Sequence, residues 1–178
     1  DIVGLIAHEN IAPVTAVAHS FGGTRLLRAA ADHPDLFRHI VVIDAYVHFQ
    51  TVEGDLPAGI DVAATKIYPD FENARSRFRL SPPQPVELTE LLDHVAAHSL
   101  KQVDGGWRWK FDPNLHSSVG LELDGPALLA RITASVDVIV GDRSDVVSVE
   151  LAQRCMPHLR RGRGAIVVPQ AAHHVMFD

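Results

Sequence analysis

The chain predicts an α/β fold built on a parallel sheet, and three observations carry that expectation. Short apolar runs alternate with amphipathic stretches toward both ends of the chain, the pattern of strands covered by helices on both faces. A long middle segment breaks this alternation. The first apolar run ends in Val14-Thr-Ala-Val-Ala-His-Ser-Phe-Gly-Gly23, where a serine flanked by small residues sits between a strand and a helix.

Taken in order, Ile2, Val3, Leu5 and Ile6 lie on one side of a helix that closes at Glu9-Asn10. Val14 to His19 is the first strand, apolar enough to be buried on both faces. Phe21 to Asp32 is a helix with Leu27, Ala30 and Ala31 inward and Arg25 and Arg28 outward. It stops before Pro34, because a residue preceding proline is pushed out of helical geometry. Ile40 to Ile43 is the second strand, Val136 to Val140 the third and Ala165 to Val168 the fourth. A helix from Pro126 to Ile132 begins with proline in its first turn. Another, from Ser148 to Leu159, begins with a capping serine and carries Glu150 near its positive end.

The middle segment reads differently. Phe71 to Phe78 forms a short helix, and Ser81-Pro-Pro-Gln-Pro85 a stiff extended link. Glu87 to Leu100 places Leu88, Leu91, Leu92, Val95 and Ala96 on one helical stripe. In Gly105-Gly-Trp-Arg-Trp-Lys-Phe111 the aromatics share a face if the segment is extended. The expected organisation is therefore core at 1–49, helical cap at 50–120 and core again at 121–178, the cap lying between the second and third strands. Such an insertion reads as a lid over the carboxyl ends of the strands, where these sheets bind ligands.

Composition narrows the function. The 178 residues are 47% hydrophobic and 21% charged with a net charge of −6, ordinary for one globular domain. That charge gives no reason to expect nucleic acid or an anionic membrane as partner. No apolar run approaches the ~20 residues that span a bilayer. The single cysteine, Cys155, excludes an internal disulfide and makes a reducing cytoplasm the default. Eleven histidines raise the question of a metal, and His94 and His98 share a helix face. Val95 stands where a metalloprotease helix carries glutamate, and no third ligand is near in sequence, so neither metal nor cofactor is expected.

The turn at Ser20 resembles the nucleophile elbow of the α/β-hydrolase family, with Ala18 in place of the first glycine of Gly-x-Ser-x-Gly. Ala18 and Gly22 are small where strand and helix backbones crowd together. The resemblance extends over essentially the whole chain. It implies the C-terminal part of the hydrolase fold, about four strands, with earlier strands and a last helix missing. It also implies a triad in the order Ser, Asp, His, each member just past the carboxyl end of a strand.

Ser20 is the nucleophile on this reading. Asp142 and Asp145 both leave the end of the third strand. Asp142 follows Gly141 so closely that it suits the turn, whereas Asp145 has room to reach a histidine and fits a subpattern, Gly-x-x-Ser-Asp, that carries the acid. Asp145 is favoured, and Asp44, just past the second strand, is the third option. After the fourth strand, His173 follows the small Ala172 and is chosen as base over His174. The backbone N–H of Phe21 is one oxyanion donor; the second comes from a loop that this chain does not contain. His19 either lines the pocket or packs under the elbow. Tyr46, His48, Trp107 and Trp109 are pocket or core.

The implied function is a serine hydrolase of a small carboxylic ester or similar acyl compound, acting through an acyl-enzyme. Carbon–carbon bond hydrolysis of diketone-like compounds is the closest alternative, although such relatives carry tryptophan soon after the base and here His174-Val-Met-Phe follows. A non-catalytic binding protein on the same fold is a different class. Because the strand at 14–19 would lack a neighbour, the 178-residue piece alone is expected to expose an apolar edge and to be poorly soluble or inactive.

Overall fold

The computed structural model describes residues 1–45, 47, 66–111 and 124–178. Two compact units divide the chain. One comprises Asp1–Thr51 and Glu122–Met176 with Asp178, and the other Val52–Leu121 with Phe177.

The larger unit is an α/β layer structure. Helix α1 (Ile2–Glu9) ends at Asn10, whose left-handed backbone (φ 52°) closes the last turn. Strand β1 (Val14–His19) runs into α2 (Ser20–Asp32), and β2 (Phe37–Ile43) follows a short 3₁₀ turn at Pro34–Leu36. Proline ends α2 where expected.

The smaller unit holds α3 (Phe71–Arg75), α4 (Thr89–His98) and the antiparallel hairpin of β3 (Leu100–Val103) with β4 (Gly106–Trp109). The extended reading of the Trp-Arg-Trp segment is thus correct. At Gly106 (φ 144°) a Cβ would lie 2.0 Å from the Tyr68 carbonyl oxygen, so only glycine lets the hairpin approach that backbone. Tyr68, Ala74 and Leu100 form a small core, with Phe71, Trp107 and Trp109 packed on it.

The larger unit resumes with α5 (Gly125–Arg131), β5 (Ser135–Gly141), α6 (Val149–Cys155) and β6 (Gly162–Val168). Asp124 caps α5 by accepting from the Ala127 N–H, and Ser148 caps α6 by accepting from the Leu151 N–H. The four strands pair in the order β1-β2-β5-β6, all parallel.

Leu26, Leu27, Ala30 and Ala31 of α2 and Leu128 and Leu129 of α5 are buried in one core with Ile40, Val42, Val136, Val138 and Val140. Each large apolar side chain so buried stabilises the fold by about 1.5–3 kcal/mol. Ile40, Val136 and Val140 are fully buried, as central strands require. β1 departs from that expectation. It is an edge strand among the described residues, its burial alternates, and Val17 stays 64% exposed. Near the opposite end of the strands from the site, Asp137 on β5 pairs with His39 on β2 and with Arg163 on β6. The Arg163 guanidinium, with help from His39, holds the Asp137 carboxyl down to about 2.

The register decides what meets at the carboxyl edge. His19 pairs with Ile43, and Ile43 with Ile139, so Ser20 and Asp44 are each the next residue after a matched pair. Gly141 pairs with Val168, which brings the loop after β6 alongside the end of β5. Three loops therefore leave the sheet side by side.

Candidate active site

Ser20 opens α2 with a left-handed backbone, φ 51°, an arrangement that a serine holds only where surrounding packing compensates for it. That packing is visible two and three residues on. A Cβ on Gly22 would make an ordinary 3.8 Å contact with the Ala18 Cβ, so alanine at position 18 costs the turn nothing. The tight approach is at Gly23 instead, where a Cβ would lie 2.6 Å from the Ala45 Cβ and 3.3 Å from the Ala18 carbonyl oxygen. The glycine that permits the elbow is thus one residue later than the small-residue pattern suggests.

The Ser20 hydroxyl donates to His173 Nε2 at 2.8 Å. His173, only 3% exposed, donates from Nδ1 to Asp44 Oδ1, also at 2.8 Å. Asp44 is fully buried at the end of β2, where its own left-handed backbone (φ 46°) ends the strand and its N–H still donates to the Ile139 carbonyl. Its carboxylate accepts three hydrogen bonds. Besides His173, the Ser144 hydroxyl donates to Oδ1 at 2.6 Å and the Gly141 N–H donates to Oδ2 at 3.2 Å. A buried carboxylate needs such donors, since leaving it unpaired would cost several kcal/mol.

Asp145, favoured from sequence, is corrected here. The histidine nitrogen it would have met is occupied by Asp44, and Asp145 is exposed on the loop after β5. The physical reason is the path of the histidine loop. It leaves β6 and packs its Ala171 and Ala172 backbone directly on Gly141 at the end of β5. His173 thereby reaches past β5 to the end of β2, which itself neighbours the serine on β1. Asp142 is exposed too, and its N–H donates to the Val168 carbonyl, in keeping with a turn role. The Gly-x-x-Ser-Asp loop still serves the site, but through Ser144. Besides donating to Asp44, the Ser144 oxygen accepts from the N–H groups of Val146 and Val147, which fixes its hydroxyl hydrogen toward the carboxylate. Ser144 was missed in the sequence, and a strand-end loop that places a small hydroxyl one residue before the expected acid was the available signal.

His173 sits where it does because β5 ends in glycine. A Cβ on Gly141 would lie 2.2 Å from the Ala171 carbonyl oxygen and 2.6 Å from that of Ala172, so a larger residue would push the base loop away. The Arg143 N–H donates to the Ala171 carbonyl, and the Asp178 carboxylate accepts from the Ala172 N–H, fixing the same loop. His19 adds a further tie, donating from Nε2 to the His173 carbonyl at 2.8 Å. Burial, the largest influence on it, lowers the His19 pKa and keeps its ring neutral.

The remaining candidates divide. Phe21 occupies the first turn of α2, where backbone N–H groups have no partner within the helix. Trp107 and Trp109 pack in the smaller unit's own core, Trp107 edge-on to Phe71 (ring centroids 4.9 Å apart) and Trp109 against Tyr68 (6.2 Å) and Phe78 (5.7 Å). Tyr46 and His48 lie outside the described residues.

A parallel sheet whose carboxyl edge joins a serine at a strand-to-helix turn, a buried histidine and a buried aspartate defines the class: an α/β hydrolase. The chain belongs to the alpha/beta hydrolase family, whose model matches residues 1–178. It is 28% identical over 181 residues to 2-(acetamidomethylene)succinate hydrolase of Mesorhizobium japonicum, covering 98% of this chain and 63% of that protein. It is similar to the crystal structure of E-2-(acetamidomethylene)succinate hydrolase, with a TM-score of 0.73 at 25% identity over 99% of this chain and 66% of that one. The thioesterase domain from the curacin biosynthetic pathway shares the fold, with a TM-score of 0.69 at 18% identity, over 99% of this chain and 66% of that domain. The chain thus spans just under two thirds of the length of these relatives. Among the described residues no helix is long and apolar enough to cross a membrane.

Proposed function

We propose that this chain carries the catalytic residues of a serine hydrolase acting on a small acyl compound. Ser20 is the nucleophile, His173 the general base and then acid, and Asp44 the group that orients His173 and offsets its developing charge. The observation that carries this reading is the continuous chain of hydrogen bonds from the Ser20 hydroxyl through His173 to Asp44. It supplies the three things a serine hydroxyl lacks at neutral pH: a base in reach, a fixed tautomer for that base, and a buried counter-charge.

In the forward step Ser20 Oγ attacks the acyl carbonyl while its proton passes to His173 Nε2. The protonated imidazole then gives that proton to the leaving group. Water, deprotonated by the same nitrogen, releases the acyl group. The Phe21 N–H at the start of α2 is the donor for the developing oxyanion.

A small carboxylic ester is the first substrate class. The relative named for 2-(acetamidomethylene)succinate favours a second, a small carboxylate carrying an acetamido group. A fluorophosphonate probe tests the chemistry before the substrate is known. We expect covalent labelling of the full-length protein at Ser20 and none in Ser20→Ala; a full-length wild type that stays unlabelled makes the fold a binding scaffold. Turnover of p-nitrophenyl esters of graded acyl length, beside acetamido-substituted succinates, then ranks the two classes.

A further inference from the structure

We propose that His19, His173 and His174 form a chelating site for a zinc(II)-like cation, and that a cation bound there switches the hydrolase off. The three imidazoles form a near-equilateral triangle. Ring centroids are 4.7 Å apart for His19 and His173, 5.3 Å for His19 and His174, and 4.8 Å for His173 and His174. One ring nitrogen from each lies within 4.8 Å of the other two. Zinc–nitrogen bonds of about 2.0–2.1 Å in a tetrahedron require nitrogens roughly 3.4 Å apart. Closing the remaining gap takes a shift of at most about 1.4 Å by the half-buried His19 and His174 toward the buried His173.

Two of the three rings already carry the outer contacts that metal-bound histidines have. A ligating imidazole hands its second N–H to a carboxylate or a backbone carbonyl, which fixes the tautomer and raises the basicity of the nitrogen facing the metal. His173 gives its Nδ1–H to Asp44, and His19 gives its Nε2–H to the His173 carbonyl. Three imidazoles select zinc, copper or nickel over magnesium and calcium, which prefer oxygen.

The inhibitory consequence rests on the proposed triad. The lone pair that His173 Nε2 offers the cation is the one that now accepts the Ser20 proton. Occupied by metal, it cannot act as a base. A rival pair exists in the smaller unit, where the His94 and His98 ring centroids lie 4.1 Å apart, but no third imidazole joins it among the described residues.

Titration of the metal-free chain with zinc chloride, followed by calorimetry and with cobalt(II) absorption as the geometric readout, tests the site. We expect one cation per chain, unchanged in the His94→Ala/His98→Ala double variant. Binding should weaken at least ~10-fold in both His174→Ala and His174→Gln. In the wild type, zinc should also shield His19 and His174 from diethyl pyrocarbonate, a readout that needs no variant. No binding, binding kept by both His174 variants, loss in the double variant, or no shielding each overturns the site. Zinc should slow fluorophosphonate labelling of Ser20 at least ~10-fold, reversed by EDTA. Labelling that zinc leaves unchanged overturns the switch. Zinc bound at the trio of a protein that never labels supports the site and overturns the catalytic reading alone.

Discussion

Two strand ends in this molecule each carry a carboxylate, and they differ in what surrounds it. The end of β2 presents Asp44, fully buried and held by three donors. The loop after β5 presents Asp145 in the better sequence pattern, yet exposed to solvent. The difference teaches that an orienting acid is defined by desolvation and by the donors that hold it, not by the motif around it. Water weakens an exposed carboxylate's pull on an imidazolium many-fold, whereas a buried one acts at low effective dielectric. The β5 loop is not idle in this arrangement, since it lends Ser144 and the Gly141 N–H to the acid on the neighbouring strand.

Exchanging the two carboxylates gives the largest effect. Asp44→Asn keeps the shape but reverses the hydrogen bond that sets the His173 tautomer, and should lower kcat by ~10⁴-fold. Asp145→Asn should stay within about twofold, as surface changes do. Equal losses in the two variants would mean that the acid moves between the strand ends during turnover. Steady-state kinetics on one ester decides.

A smaller effect should follow from cutting the tie between the two regions. Ser144→Ala removes one donor from Asp44 and frees two loop N–H groups, costing about 1–3 kcal/mol of stability. If about 1.4 kcal/mol of that appears in the transition state, kcat/KM falls about tenfold. Ser144→Thr, which keeps the hydroxyl, should recover most of it. Thermal unfolding alongside kinetics separates the two costs.

The smallest effect concerns Asp137, which joins the same two strands away from the site and keeps 13% of its side chain exposed. Its folded pKa, about 2, lies below the ordinary 3.8. The pairing therefore stabilises the fold above pH ~4 and is lost as pH falls toward ~2. Asp137→Asn should cost about 1 kcal/mol at neutral pH and nothing near pH 2, with no change in kcat. Urea unfolding across that range measures it.

Much of the scaffold was legible because local rules agree with the global fold. Pro34 after α2, the capping serine at 148 and the apolar runs at 40–43 and 136–140 each lead to the observed element, with ends shifted by a few residues. The positions of Ser20 and His173 just past strand ends were legible for a related reason, since small neighbours constrain both turns. The choice among Asp44, Asp142 and Asp145 was not, because all three follow strands and are alike in sequence.

By itself, then, the sequence determined the alternation of strands and helices, the serine at a sharp turn and the histidine in the last loop, all of which depend on neighbours along the chain. Tertiary structure alone decided which aspartate meets that histidine, because the loop after β6 packs on Gly141 at the end of β5 and carries His173 past that strand to the end of β2. It also decided that Gly23, Gly141 and Ser144 matter, since their partners, Ala45, Ala171 and Asp44, lie on other segments of the chain. A carboxylate's environment is a sum over such distant neighbours, and no local pattern contains it.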